Sequence, residues 1–209
     1  MLGCIVFLCF ITFSAWTGAV FSKLSFEKTL PITCFGVIYI QFLIGMLTND
    51  LNTAFWVLLI GFMLMIIGSI YSIIRQYKTN TNVIKDVLCK VFNKYFFIFL
   101  LTFFAIIIFT YDMKVHEWDE FSHWGTVVKA MFYTDRWGCS IEADCPFGYY
   151  MPGMALFQLF IERLNAIFYC DLPRRYFSEW LLYFAYDILI VSFLLALISS
   201  IKGRKNKQI

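Results

Sequence analysis

The side chains best suited to chemistry are crowded into residues 118–124, whose sequence is WDEFSHW. Asp119 and Glu120 are adjacent carboxylates, and the imidazole of His123 follows three residues after Glu120. A positioned carboxylate can act as a general base. Beside a membrane, such a base would deprotonate an acceptor hydroxyl for attack on a sugar carried by a lipid phosphate, because the membrane brings donor and base together.

The same stretch also has a purely structural interpretation. Asp119 would cap the start of an amphipathic helix, since its carboxylate accepts hydrogen bonds from free backbone amides and complements the helix dipole. That helix would lie in the membrane interface with tryptophan anchors. Its apolar face would consist of residues at helical spacing, namely Phe121, Trp124, Val127, Val128, Met131 and Phe132.

The composition indicates a membrane protein. The 209 residues are 61% apolar and 15% charged, whereas soluble domains are about half apolar and about a quarter charged. This excludes a cytosolic enzyme, a secreted disulfide scaffold and a disordered tail. We predict an all-α, polytopic transmembrane helical protein with amphipathic juxtamembrane helices in one long extracytoplasmic loop. Five apolar stretches predict the spans, and they are Leu2–Phe21, Ile32–Leu47, Ala54–Ile74, Tyr95–Tyr111 and Ser178–Ser200.

The orientation follows from the basic residues, which are enriched in short cytoplasmic loops. Eleven of the seventeen Lys and Arg residues lie in residues 22–31, 75–94 and 201–209. With the N-terminus outside, five spans place all three segments in the cytoplasm and leave the loop 112–177 outside. Ten of the fourteen acidic residues lie in or directly beside that loop. We therefore predict a multi-pass protein of the cell membrane with a cytoplasmic C-terminus.

Residues 151–170 are apolar but are not counted as a span. Glu162 and Arg163 would each cost roughly 2.5–3.5 kcal/mol at the bilayer centre. A sixth span would also move the Lys-rich tail outside. We predict that this segment forms a helix that lies along the outer leaflet.

The order of the motifs resembles the first extracytoplasmic loop of the GT-C-type polytopic glycosyltransferases. A hydrophobic span leads to the acidic pair Asp119-Glu120, an amphipathic helix starts with Asp-Glu-x-x-x-Trp, and Lys129 follows. The segment 149–153, Tyr-Tyr-Met-Pro-Gly, resembles the Tyr-Pro-Pro-type motif of that family, with Met151 in place of one proline. The resemblance covers about residues 95–200.

The resemblance implies an integral membrane glycosyltransferase that uses a polyprenyl-phosphate-linked sugar at the extracytoplasmic face. Asp119 would be the catalytic base or the metal-contacting acid, with Glu120 as its helper. His123, Lys129 and Tyr150 would contact the substrate. The implied partners are membrane lipid and lipid-linked sugar, and a divalent metal at Asp119 stays open as a cofactor.

The span count departs from the family's pattern. Only one span follows the loop, whereas such enzymes have more, and three spans precede the part that resembles them. We divide the chain into residues 1–94, a three-span segment with a cytoplasmic basic loop, and residues 95–209, the GT-C-like segment with its loop, last span and basic tail. The remaining spans of a split enzyme would belong to a second membrane subunit.

Two other function classes are weighed against the transferase. The alternative is a non-catalytic membrane scaffold or subunit whose aromatic loop binds lipid, glycan or a partner protein. A small transporter would need several ionisable residues within the spans, and Asp187 is the only charged one away from a span end. We interpret Asp187 as hydrogen-bonded to a neighbouring helix or subunit. The short basic tail suits anionic lipid, so no nucleic-acid partner is predicted.

Neither the histidines nor the cysteines predict a firm site. His116, Glu120 and His123 lie at i, i+4 and i+7 and would share a helix face, but the metalloprotease spacing is absent, so we predict no metal site made by the protein alone. Cys139 and Cys145 flank a polar turn outside, where a local disulfide and free thiols are both open.

Overall fold

The chain is predominantly helical in the part that the computed structural model describes, which comprises residues 2–78, 81–116, 124–145, 148–149, 152–169 and 176–205. No strand occurs among these residues. The predicted all-α architecture is thereby confirmed. The α-helices are α1 (Leu2–Phe21), α2 (Phe26–Thr48), α3 (Leu51–Tyr77), α4 (Val83–Val91), α5 (Lys94–Thr110), α6 (Gly125–Thr134), α7 (Gly153–Ala166) and α8 (Trp180–Lys205).

Several of these helices are long and apolar enough to cross a membrane. In the described part of the chain they are α1, α2, α3 and the first 22 residues of α8. Helices α4 and α5 together make a fifth candidate, bent by 41° at the break between them. The chain is therefore a multi-pass membrane protein, with four such helices among the described residues, or five when α4 and α5 count as one span.

Polar side chains fix where two of these helices begin. The Asp50 carboxylate accepts hydrogen bonds from the backbone amides of Asn52 and Thr53, which would otherwise be unsatisfied in the first turn of α3. Asn93 caps α5 in the same way. Its Nδ2 also donates to Glu27 Oε2 at 2.8 Å, which ties the start of α5 to the start of α2.

Phenylalanine rings from several helices build the core around α7. The ring of Phe7 in α1 lies 5.9 Å from Phe157 and 6.2 Å from Phe184, both edge-on. Phe10 lies 5.1 Å from Phe160. Such contacts between aromatic edges and faces add about 0.5–1.5 kcal/mol each to the gain from burial. The two predicted segments of the chain thus share one core.

Helix α7 is enclosed by other helices of the protein, whereas the sequence predicts a helix along the outer leaflet for residues 151–170. The helix packs against α1, α2, α6 and α8, and most of its residues from 156 onwards are buried. Its 14 residues span only about 21 Å, too little for a bilayer core of roughly 30 Å. Glu162 and Arg163 are accommodated in this buried helix because they find polar partners inside the protein.

A glycine allows α7 to approach α1 closely. A Cβ atom on Gly3 would lie 2.5 Å from Asn165 Cα, which is closer than atoms can pack. The backbone of the first turn of α1 therefore packs directly against Asn165 at the end of α7.

The two ends of the helix bundle differ in charge. We call the end that holds the α1–α2 connection, α4 and the start of α5 the basic end, because residues 22–31 and 75–94 carry seven basic residues and two acidic ones. The opposite end holds α6 and α7, and we call it the acidic end. In the sequence, ten of the fourteen acidic residues belong to residues 112–179, between α5 and α8.

Candidate functional site

Helix α6 lies at the acidic end and has the amphipathic face that its sequence predicts. Val127, Val128, Met131 and Phe132 are buried, whereas Trp124, just before the helix, is half-exposed. The buried face packs against α7, so it contributes to the protein's own core. Position and rotation of α6 are therefore fixed by packing, as a binding site requires.

Lys129 projects from the exposed side of α6. Its Nζ lies 6.0 Å from the centroid of the Phe177 ring, at the outer limit of a cation–π contact. Lys129 forms no ion pair within the described part of the chain, so its charge is available to an anion. The other predicted site residues, Asp119, Glu120, His123 and Tyr150, lie outside the described residues.

Two adjoining clefts open beside α6. The first has a volume of about 410 Å³ and lies between α2, α6 and the start of α7. Its lining is largely apolar and includes Phe42, Met46, Trp137, Tyr149 and Ala155. The size falls within the roughly 300–1,000 Å³ range of small-molecule sites.

The second cleft has a volume of about 580 Å³ and lies between α6, α7 and the start of α8. Val115, Tyr183 and Tyr186 form part of its wall. Trp124 and Gln158 line both clefts, so these two side chains form the partition between them.

The partition has one polar group of note. Gln158 Nε2 donates to the backbone oxygen of Leu182 at 3.1 Å, which anchors the side-chain amide to α8. No charged side chain occurs among the described residues that line either cleft. Ionic chemistry at these clefts must therefore come from residues outside the described lining.

The chain reaches residues 117–123 from the rim of the second cleft. Val115 and Trp124, which line this cleft, lie two residues before and one residue after that stretch. The stretch carries Asp119, Glu120 and His123. Chain connectivity alone therefore limits how far these side chains can be from the cleft, since seven residues extend at most about 25 Å.

A backbone contact between two glycines supports the wall of the first cleft. A Cβ atom on Gly148 would lie 1.8 Å from the carbonyl oxygen of Gly138. Nearby, Trp137 Nε1 donates to the backbone oxygen of Gly45 at 3.2 Å, which fixes the indole against α2. The loop after α6 is thus held to α2 through Trp137. The close backbone contact between Gly138 and Gly148 brings the two sides of this loop together.

A buried ion pair holds the acidic end together. Arg163 of α7 contacts Asp135 Oδ1 at 2.5 Å and donates to Asn52 Oδ1 at 3.0 Å. The backbone oxygen of Asp135 accepts from the amide of Leu51 at 2.9 Å. The Arg163 charge also acts on Asp50, the cap of α3. Burial alone would raise the pKa of Asp50, but hydrogen bonds from Asn52 and Thr53 and the Arg163 charge lower this pKa. Three elements, α3, α6 and α7, are joined at this one guanidinium.

A second buried polar group lies next to the ion pair. Glu162 Oε2 accepts from the backbone amide of Ser178 at 3.2 Å, whereas its Oε1 has no hydrogen-bond partner among the described residues. Asn165 donates to Ser178 Oγ at 3.5 Å, and its Oδ1 likewise has no partner in the described part of the chain. Burial raises the pKa of Glu162 well above its usual range, the bond from Ser178 opposes this rise, and the charge of Glu179 adds to it. The uncharged form of Glu162 is thereby favoured.

The other candidates from the sequence do not form a site in the described part of the chain. His116 is exposed, and its Nδ1 lies 3.0 Å from the backbone oxygen of Lys114. No group of three or more potential metal ligands occurs among the described residues. Cys139 and Cys145 are free thiols, so the structure contains no disulfide between them.

Asp187 lies half-buried in α8. It makes no hydrogen bond or ion pair with another residue of the described chain, so the predicted bond to a neighbouring helix is not formed there. A bond to a second subunit stays a prediction.

The sequence did not point to Gln158, Trp137 or the Arg163–Asp135 pair. The only local signal was the adjacent Glu162-Arg163 inside an apolar stretch, because charges rarely occupy such positions without partners. The comparisons with known proteins give no family to which the chain can be assigned: no family model, curated protein or solved structure matches it.

Proposed function

We propose that this protein is an integral membrane glycosyltransferase that uses a polyprenyl-phosphate-linked sugar. The observation that carries the proposal is the pair of adjoining apolar clefts whose rim leads directly into the stretch with Asp119 and Glu120. A polyprenyl-phosphate sugar needs both features, since it is an apolar chain with a charged, reactive head.

The apolar lining supports an isoprenoid chain as the lipid part of the donor. Burying hydrocarbon gains about 0.8 kcal/mol for each CH₂ group that leaves water. Within a membrane that gain is smaller, because the surrounding acyl chains are also apolar, so the clefts would select for shape. The aromatic side chains of Trp124, Tyr183 and Tyr186 present flat, rigid surfaces to a branched chain.

The reaction assigns a role to four of the five predicted site residues. Asp119 would accept the proton of the acceptor hydroxyl, and the resulting oxygen would attack the anomeric carbon of the donor sugar. The bond from that carbon to the phosphate oxygen would break, and polyprenyl phosphate would leave with the bonding electrons. Lys129 and His123 would stabilise the charge that grows on the phosphate. Glu120 would orient Asp119.

The proposal includes an orientation and a partner. The basic end would face the cytoplasm, which puts the C-terminus inside and the two clefts at the extracytoplasmic face. A second membrane subunit would supply the further spans that the family's pattern requires.

A non-catalytic lipid-binding subunit is the second candidate function. It is favoured by the lining of the clefts, which contains no acid or base among the described residues. In that case the clefts would hold lipid for a partner protein, and the aromatic partition would serve recognition alone.

A binding measurement tests the feature that both candidates share. Purified protein in detergent is titrated with fluorescent polyprenyl phosphate, the part common to all such donors. Ala155→Trp would fill the first cleft and is expected to weaken binding at least tenfold. Leu101→Trp places the same side chain on an exposed position of α5 and should leave binding unchanged.

The variants separate the possible results. Loss of binding in Ala155→Trp with an unchanged melting temperature supports a lipid site at the clefts. Wild-type affinity in that variant, or no binding by the unmodified protein, removes the clefts as the donor site.

A further inference from the structure

Helix α4, at the basic end, has an apolar arc wider than the surface that it buries. Val87 and Val91 pack against the bundle and are buried. Ile84 and Leu88 belong to the same apolar arc, yet their exposed fractions are 40% and 39%. At 100° per residue these side chains and Phe92 cover roughly half of the helix circumference. One half of the arc, Val87 and Val91, packs against the protein. The other half, Ile84, Leu88 and Phe92, is exposed.

Helix α4 is a short amphipathic segment turned away from the direction of α5. It has nine residues, too few to cross a bilayer, and it is bent by 41° from the spanning direction of α5. Phe92 at its end packs edge-on against Phe96 at 5.0 Å, which holds the bend. Exposed apolar residues on such a helix would enter the boundary between headgroups and acyl chains.

The polar side of the same region is basic. Lys85 lies on the exposed polar side of α4, and Arg75 and Lys78 lie exposed at the end of α3, which contacts α4. Of the two acidic residues in this region, Glu27 is buried and hydrogen-bonded to Ser25 and Asn93. Asp86 is thus the only exposed acidic side chain among the described residues of 22–31 and 75–94.

We propose that α4 is an interfacial helix that binds anionic phospholipid headgroups at the basic end of the bundle. Ile84, Leu88 and Phe92 enter the acyl boundary, while Lys85 and Lys78 contact the phosphates. The occupant is anionic lipid because the exposed apolar half-arc and the cations lie side by side, and phospholipid presents hydrocarbon and phosphate in that same order. The inference concerns the end opposite to the clefts and does not rest on the transferase proposal.

The test measures lipid affinity of the full-length protein. Purified protein in zwitterionic detergent is titrated with fluorescent phosphatidylglycerol and, in parallel, with fluorescent phosphatidylcholine. The double variant Lys78→Gln/Lys85→Gln is expected to bind phosphatidylglycerol about fivefold more weakly for each lysine removed, since one cation near an anionic surface contributes about that factor. Added salt should weaken the wild-type interaction.

Two further variants separate a lipid site from a general charge effect. Lys114→Gln removes an exposed cation at the acidic end and should keep wild-type affinity for phosphatidylglycerol. Ile84→Ser/Leu88→Ser should lower it with all cations in place, because free phosphate recognition would not need these residues. Competition by inorganic phosphate at equal concentration should be negligible.

The proposal is overturned by any of three results. These are equal affinity for the two lipids in wild-type protein, unchanged phosphatidylglycerol affinity in Lys78→Gln/Lys85→Gln, and an equal loss in Lys114→Gln. Size-exclusion profiles and melting temperatures of all variants establish that each is folded.

Discussion

Replacement of Glu162 by glutamine should remove a specific part of the protein's pH dependence. Glu162 is fully buried, and burial raises its pKa well above the ordinary value. The folded state therefore holds a proton that the unfolded chain releases once the pH exceeds about 4.3. Stability conferred by this proton is complete at lower pH and is lost as the pH rises towards the folded-state pKa.

The size of the effect follows from the release of one proton. Each pH unit between the two pKa values lowers the free energy of unfolding by about 1.4 kcal/mol. Between pH 5 and pH 7 this amounts to at most about 2.7 kcal/mol. For a chain of this size such a difference moves the melting temperature by roughly 5–10 °C.

Glutamine mimics the uncharged carboxyl and keeps a hydrogen-bond donor. In the described part of the chain, Glu162 Oε1 and Asn165 Oδ1 are acceptor oxygens that have no donor. Glu162→Gln should therefore match wild-type stability at pH 5 and exceed it at pH 7. The control Glu142→Gln changes an exposed glutamate at the same end of the molecule and should keep the wild-type slope.

The assay is thermal unfolding in detergent, followed by circular dichroism at pH 5, 6 and 7. A Glu162→Gln protein whose melting temperature falls with pH as steeply as that of wild type would refute this reasoning. The same holds if Glu142→Gln removes the slope.

Two more substitutions test the packing of the acidic end. Arg163→Met should destabilise the protein by about 3–5 kcal/mol, because the Asp135 carboxylate loses the Arg163 guanidinium. In a double-mutant cycle, adding Asp135→Asn should recover part of the lost stability. Strictly additive losses of stability would contradict the pairing. Gly148→Ala should lower the melting temperature and weaken polyprenyl phosphate binding, because the new Cβ meets Gly138, whereas Gly61→Ala meets nothing within 4 Å and should be neutral or stabilising. Equal shifts in melting temperature for the two alanine variants would show that the close contact between Gly138 and Gly148 is unimportant for stability.

The spans could be predicted from sequence because lipid imposes a local rule. A helix in a bilayer satisfies its own backbone, so a long apolar stretch is sufficient to identify it. The buried face of α6 was likewise readable, since Val127, Val128, Met131 and Phe132 repeat at helical spacing. In both cases the signal lies within one segment of the chain.

The placement of α7 could not be predicted because its determinants are distant in sequence. Arg163 finds Asp135 28 residues earlier and Asn52 111 residues earlier. The sequence argument assigned Arg163 the free-energy cost of a charge in lipid. That cost does not apply, because other helices of the protein surround α7. Gly3, whose missing side chain admits α7, is farther still.

The candidate site was predictable only in part. Lys129 was identified from its position after the acidic pair, and it is exposed as expected. The clefts were not, since they arise where α2, α6, α7 and α8 meet and no single segment encodes such a meeting point. Gln158 illustrates this, because its part in both clefts depends on its bond to Leu182 in another helix.

The measurement that tests the central claim most directly is sugar transfer by an Asp119→Asn variant. Membranes that contain the full-length protein are supplied with polyprenyl-phosphate glucose or mannose carrying a labelled sugar, and the label that leaves the polyprenyl lipid is counted. Asp144→Asn serves as the matched control, since Asp144 lies in a separate turn of the same loop region. The account predicts that Asp119→Asn abolishes transfer at unchanged membrane abundance while Asp144→Asn retains it. Equal transfer by Asp119→Asn and wild type would contradict the proposed role of Asp119.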